Sequence, residues 1–562
     1  EYFGNYEGNP IFIRISKIDR QMMEFECKLF PSDLIYEKIV SISPINKVYL
    51  SLNLPMENKS ESHVVVISHN GGVIHGDYVL YRKLYMGSNK YQFVKKWRLN
   101  PFLFFSTLFN DSSLPRMDIA VKNGRRLFYS HIDGDGLISI SAVDRKSYCG
   151  AVVLKELLKK YPLPFSASFI TSEINSRYLG DKNTRELAYE IALQPNVEIA
   201  SHTFSHPFTW SWAQKIKFGE EYEDYENYTI SVNNYSFDVE KEITGSINEL
   251  NELIGPTGKK CRTLFWSGNC LPEHDAMEII AKNGYAGLNG GEPRWDGKFN
   301  SISSLSPFSR PVGRYRQIYT SNCNETIYTN VWSENYHGFE KVIETFENTA
   351  NEKIYRPINV YFHYYCADRI AGLNSLKKVF NYVINQKISP VFASEFSGMA
   401  SDFFKYRSER TAPLTWSFQD YGRCRTVRMD NTIYKPDLIK SENIIGYKTI
   451  KACLYIFLGE KDKSLIQLIP CDKTQNIPYL DNTNTDIQKW YAGRKTITFD
   501  FISWLPPEIV ISGLPRSRNF KALVKSESDV NINSFASDET GTAEMIMRNY
   551  KPGAVHHVKI LL

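Results

Sequence analysis

Arg125-Arg126-Leu127-Phe128-Tyr129-Ser130-His131-Ile132-Asp133-Gly134-Asp135-Gly136 reads as an apolar strand that runs out into two carboxylates spaced two residues apart between glycines. A carboxylate at the mouth of a strand is exposed, and glycines let other groups approach its backbone closely. A second stretch complements it: Asn196-Val197-Glu198-Ile199-Ala200-Ser201-His202-Thr203-Phe204-Ser205-His206, a short strand followed by imidazoles at i and i+4. That spacing predicts both rings on one face of a helical turn, where they can share an ion. One carboxylate oxygen and two imidazole nitrogens leave a position open for water, the layout of a hydrolytic zinc centre. The other carboxylate is then free to act as base.

Around this pair the chain is too long, at 562 residues, for one core, and two to four domains are expected. From about 121 to 405, strand-like and helix-like segments alternate, which predicts a parallel α/β sheet or barrel. Helices are expected at Gly150 to Lys160, Thr184 to Ala192 and Gly372 to Asn385, with strands at Phe165 to Ile170, Ile358 to Tyr365 and Ser389 to Ala393. The strand Ile358 to Tyr365 carries His363 near its end. A polar, Tyr-rich stretch from Phe218 to Asp238 reads as a long loop over the site. Residues 1–120 read as a small mixed α/β domain, with strands at Lys47 to Leu52 and His63 to Ser68. Residues 406–562 alternate short strands with Asn, Asp, Gly and Pro turns, the rhythm of a β-sandwich that either holds a polysaccharide or covers one side of the catalytic unit.

The bulk numbers narrow the function classes. Lys and Arg total 67 against 62 Asp and Glu, and no long basic run stands out, so nucleic acid is not the expected partner. No apolar segment is long enough to cross a bilayer. The 35 Tyr, 33 Phe and 9 Trp fill cores for the most part, though rings also stack on sugars. Nine cysteines occur without a CxxC pair, so neither a zinc ribbon nor a redox motif is suggested. Cys270 and Cys366, near the expected site, read as structural thiols. The chain begins Glu1-Tyr2-Phe3-Gly4, with neither an initiator Met nor a signal peptide, and is expected to be a processed or trimmed form.

Asp133, Asp135, His202, His206 and His363, in this order on strand ends, resemble the polysaccharide deacetylases of the NodB-homology type. Their signatures are a paired-Asp strand end, a His-Ser/Thr-x-x-His segment and a late strand bearing a histidine. The wording is closest to the deacetylase region of the Pel exopolysaccharide protein family. There the matching segments are His131 to Gly136, Trp266-Ser267-Gly268-Asn269-Cys270-Leu271-Pro272 and Asn324-Glu325-Thr326-Ile327-Tyr328-Thr329-Asn330. The resemblance implies a distorted (β/α) barrel and a divalent metal, zinc first with cobalt or nickel as alternatives. It implies Asp135, His202 and His206 as ligands, Asp133 as general base and His363 as general acid. The substrate implied is an N-acetylated amino-sugar polymer, handled outside the cytoplasm in the company of exopolysaccharide export machinery. The family's Arg-x-Pro motif is replaced by Thr263 to Cys270, so the arginine that orients the base is sought elsewhere, with Arg314 as the candidate. The oxyanion-holding amide is expected around Trp266, Ser267, Gly268 and Asn269.

Each piece also has a plainer reading. Asp-Gly-Asp-Gly is often only a turn, though Leu137 at the next ligand position defeats an EF-hand. A lone histidine on an apolar strand, as His363 is, is more often a hydrogen-bonded core residue. His131 is expected to pack behind the carboxylates and support them rather than react. Two other classes stay open. Asp133-x-Asp135 also fits a phosphatase of the haloacid dehalogenase kind using Mg²⁺, which would leave the histidines unexplained. The other is a non-catalytic glycan-binding protein.

Overall fold

A computed structural model describes residues 2–6, 9–30, 33–54, 61–86, 91–110, 114–211, 229–526 and 529–562. The chain divides into two units, one of Glu1–Leu114 with Arg294–Leu305 and one of Pro115–Pro293 with Ser306–Leu562. The sequence divisions at 120 and 405 differ from this. The two-residue strand Arg116–Met117 pairs with Thr426–Asp430, and the residues beyond 405 share a unit with the parallel sheet described below.

In the first unit the expected strands appear as Lys47–Asn53 and Glu61–Ser68. They lie within a five-stranded antiparallel sheet, beside a separate two-stranded hairpin. The helix Pro101–Phe109 starts on an Asn100 cap, with Pro at its first position where no donor is needed. Among the described residues the unit combines antiparallel sheet with the α-helix Pro101–Phe109 and a short 3-10 turn at Gly76–Tyr78.

The second unit is built on eight strands, labelled here in chain order: β1 (Val121–Lys122), β2 (Arg125–Asp133), β3 (Phe165–Phe169), β4 (Val197–Ser201), β5 (Thr263–Phe265), β6 (Ala286–Leu288), β7 (Ile358–His363) and β8 (Ile388–Pro390). The spatial order β6-β5-β4-β3-β2-β7 is parallel throughout. β2 pairs with β7 along one edge and divides its other edge between β8, at Arg126 to Phe128, and β3, at His131 and Ile132. Among the described residues β6 pairs only with β5, so the sheet curls into a half-barrel without closing.

Every residue of β2 is buried, including the two arginines that open it. Arg126 donates to the carbonyls of Phe346, Thr349 and Arg356, and so neutralises the end of the helix Val342–Asn348. Phe128, Ile132, Phe165, Phe169 and Phe362 fill the core that presses helices onto the sheet. Each such side chain contributes about 1.5–3 kcal/mol by leaving water. The expected helices form as Lys182–Leu193 and Ile370–Ile384, the former with a reciprocal Asp181–Thr184 capping box. The expected helix at Gly150 to Lys160 forms as Cys149–Val153 followed by an i→i+5 turn over Leu154–Leu158. The strand expected at Ser389 to Ala393 is shorter, because Ala393 already starts the helix Ala393–Asp402. Beyond residue 405 the described chain is β, antiparallel except where Ile444–Ile450 meets Tyr479–Thr483 in parallel, and it includes strands at Cys453–Leu458, Thr496–Ile502 and Glu508–Ser512. Among the described residues no helix is long and apolar enough to cross a membrane.

Candidate metal centre

Asp133 ends β2, His202 follows β4, Trp266 follows β5, Asn289 follows β6 and His363 ends β7. All lie at the carboxyl ends of parallel strands, where side chains from separate segments converge and no strand continues to cover them. Strand periodicity puts His131 and Asp133 on one face of β2, and the parallel register sets Tyr361 beside His131 and His363 beside Asp133.

Asp135, His202 and His206 each offer a ligand atom within 4.8 Å of the others. His202 Nε2 lies 3.1 Å from Asp135 Oδ2, and His206 Nε2 lies 3.1 Å from Asp135 Oδ1. His202 Nδ1 donates to the Phe265 carbonyl (3.1 Å), which leaves its Nε2 lone pair aimed at the carboxylate. Asp135 Oδ2 is buried and accepts no hydrogen bond. Burial opposes the charge on Asp135, but His206 and His202 outweigh it and hold the carboxyl well below its ordinary range. Two imidazole lone pairs and one ionised carboxylate with an orphaned oxygen fit a divalent cation of the zinc type. Two nitrogen donors do not fit the all-oxygen Mg²⁺ site that the phosphatase scheme needs.

The expected helical turn at 202–206 does not form. Thr203 (φ 71°) and His206 (φ 55°) are left-handed, and His206 N–H donates to Thr203 Oγ1 (3.0 Å). Buried Glu242 holds this loop by accepting from the amides of Phe204 (2.8 Å) and Ser205 (2.9 Å), the Ser205 hydroxyl and the Tyr235 hydroxyl (2.7 Å). The loop expected at Phe218 to Asp238 lies outside the described residues as far as 228. Its remainder returns to the site, where Ile230 N–H donates to Ser205 O. Gly134 separates the two aspartates because a Cβ there would sit 2.9 Å from Ile170 N and 3.0 Å from His202 Cβ.

Asp133 is buried, with the Tyr361 hydroxyl donating to Oδ2 (2.5 Å) and Asn289 Nδ2 donating to Oδ1 (3.1 Å) and Oδ2 (3.0 Å). Asn289 Oδ1 in turn accepts from His131 Nε2 (3.0 Å), whose Nδ1 faces Asn359 Nδ2 (3.1 Å). Burial pushes His131 down to about 4 despite nearby Asp133, so the ring stays neutral. It stacks on Tyr361 at 4.0 Å and reaches Asp133 only through Asn289. Arg314 is not at the site. It is exposed on the turn between Ser309–Val312 and Tyr315–Ile318, bonded to Glu278 and to the Tyr315 hydroxyl. Among the described residues the hydrogen bonds to the Asp133 carboxylate come from Asn289 and Tyr361, not from an arginine. Neither was singled out from sequence, although Leu288-Asn289-Gly290-Gly291 has the form of a strand end running into a turn.

His363 Nε2 lies 3.7 Å from Asp133 Oδ2 and 3.8 Å from Asp135 Oδ2, while Nδ1 donates to Glu325 Oε1 at 2.7 Å. Burial alone would depress its pKa, but Glu325, then Asp135 and Asp133, push it up to about 9. Trp266 and Ser267 are fully buried: Trp266 packs edge-on to Trp210 and offers no free face to a sugar, and the Ser267 hydroxyl donates to Pro207 O. Gly268 and Asn269 line the cleft in front of the ligands, as do Cys270 and Tyr365. Burial pushes the thiols of Cys270 and Cys366 well above their ordinary range, as structural thiols require.

No protein-family model matches the chain, and no curated protein sequence does. Among solved structures, the PuuE allantoinase aligns at 12% identity and a TM-score of 0.31, over 48% of this chain and 88% of its own. A probable polysaccharide deacetylase from Pseudomonas aeruginosa PAO1 aligns at 11% identity and a TM-score of 0.31, over 48% of this chain and 89% of its own. The 4-α-glucanotransferase of Thermococcus litoralis aligns at 7% identity and a TM-score of 0.29, over 77% and 99%. Similarity this low says nothing of activity, which has to be argued from the side chains themselves.

Proposed function

We propose that the chain is a metal-dependent N-deacetylase that removes acetyl groups from N-acetylhexosamine units, gluco or galacto, of an exopolysaccharide related to Pel. The observation that carries this reading is the convergence of Asp135, His202 and His206 within 4.8 Å, with Asp133 and His363 directly beside them. Those three would hold a divalent ion, zinc first and cobalt or nickel next, which supplies Lewis acidity that polarises an amide carbonyl and lowers the pKa of water.

Asp133, oriented by Asn289 and Tyr361, takes the proton from water as its oxygen attacks the acetyl carbon. His363, protonated through its bond to Glu325, delivers the Nε2 proton to the departing nitrogen, which leaves as a neutral amine. The products are acetate and an amino sugar. The amides of Asn269 and Cys270 are spent on Phe208 O and Ser267 O, which narrows the oxyanion donor to the Ser267–Gly268 backbone. In this reading the enzyme works outside the cytoplasm, beside the machinery that exports the polymer. Metal analysis combined with acetate release from a panel of N-acetylated oligomers tests it. Acetate from none of them, with metal loaded, would overturn it.

A further inference from the structure

The cleft in front of the ligands encloses about 590 Å³ and continues past them to Glu292, Ile327 and Val331. Although the chain carries a net charge of +5, no lysine or arginine lines this cleft among the described residues. Its anionic side chains are Asp133, Asp135 and Glu292. The first two are accounted for by the chemistry, and Glu292 is not.

Among the described residues no hydrogen bond or ion pair engages the Glu292 carboxylate. Solvent reaches the residue, yet enclosure by the cleft raises its pKa with no cation nearby to offset the effect. Glu292 lines the same cleft as Asp133, Asp135 and Cys270. The backbone puts it there through four consecutive positive φ angles: Asn289 at 105°, Gly290 at 102°, Gly291 at 86° and Glu292 at 42°. One end of this turn points Asn289 at Asp133, and the other leaves Glu292 on the cleft wall.

An unpartnered carboxylate on the open wall of a cleft that no lysine or arginine lines, away from the ligands and His363, suits a cationic ligand. Amide hydrolysis of an N-acetylhexosamine polymer makes one, because each finished unit carries an ammonium where a neutral amide stood. We propose that Glu292 is a specificity-determining residue that binds the ammonium of an already deacetylated hexosamine next to the unit being hydrolysed. The enzyme then favours partly deacetylated chains over fully acetylated ones. This inference rests on the deacetylase reading.

The test compares the metal-loaded enzyme on N-acetylhexosamine tetramers that are fully acetylated or carry one free amine, in gluco and galacto series. The expected wild-type preference in kcat/KM for the amine-bearing tetramer is about twofold to fivefold, the range of a solvent-exposed ion pair, and it shrinks with added salt. Glu292→Gln, close in shape but neutral, brings the ratio to about one. A wild-type ratio of one, or a ratio that Glu292→Gln leaves intact, overturns the proposal. Calorimetric binding of the fully deacetylated tetramer to wild type and Glu292→Gln forms a second arm that needs no turnover, and equal affinities there also overturn it. Absence of acetate from every tetramer would instead sink the deacetylase reading, with the binding arm still deciding the role of Glu292.

Discussion

His363 Nδ1 donates to Glu325 Oε1 at 2.7 Å, and both side chains are buried. The two come from separate elements, β7 and the short turn Glu325–Ile327. The bond fixes which imidazole nitrogen faces the cleft and raises the pKa of the ring to about 9. A group whose pKa is raised in the folded state stabilises it fully below the ordinary imidazole value, and that contribution disappears as pH rises toward 9. Activity that needs the protonated ring is lost over the upper part of the same window. In Glu325→Gln the basic limb of the kcat/KM profile is therefore expected at lower pH, with metal content unchanged. A limb that does not move would separate His363 from proton delivery.

The ligand and base assignments separate in two measurements. Asp133→Asn keeps the Asn289 and Tyr361 neighbours and all three ligand atoms, so the metal is expected to stay while kcat falls about a hundredfold to ten-thousandfold. His202→Ala or His206→Ala removes one of three donors, and both metal and activity are expected to disappear. Stoichiometric metal in either alanine variant would refute the ligand set.

Much of this site could be read from the chain because its ligands come in pairs on short segments. Asp133 with Asp135 and His202 with His206 each carry their spacing in the sequence. The supporting residues are single and distant: Glu242, Asn289, Glu325 and Tyr361 gain meaning only when parallel strands align their ends. Tyr361 was within reach, since it shares a strand face with His363. Arg314 misled because an arginine after a Gly313 turn was sought for its charge, and that turn stands in solvent. The helical spacing of the two histidines misled for a different reason. A four-residue separation is also spanned by a loop whose amides are held by a carboxylate, here Glu242. The parallel α/β rhythm was plain in the alternating pattern. That β2 would divide one edge between two strands was not, because pairing partners leave no trace in local periodicity.

Asn289 joins His131 to Asp133 while sitting at a φ of 105°, a conformation that costs about 1 kcal/mol or more outside glycine. Asn289→Gly suits the backbone but removes every bond the side chain makes. The expected result is kcat lower by about tenfold to a hundredfold with the metal retained. Full activity in that variant would mean that the orientation of Asp133 does not depend on Asn289.

Glu242 offers the sharpest test of how the ion site is built, because it touches no ligand side chain. Its carboxylate accepts from two adjacent amides between His202 and His206, and from two hydroxyls, with no exposure to solvent. Glu242→Ala leaves two buried N–H groups without acceptors, at a cost of about 1–3 kcal/mol each. The left-handed residues Thr203 and His206 then have less to hold them, and the imidazoles lose their common aim. A lower Tm and weaker metal affinity are expected together, the latter by about tenfold to a hundredfold. Saturating metal should recover part of the lost Tm, since a ligand that binds only the folded state adds stability as its concentration rises above Kd. A Glu242→Ala protein that is destabilised but binds metal as tightly as wild type would show that the loop keeps its shape without the carboxylate, and that the ligands are positioned by β4 alone.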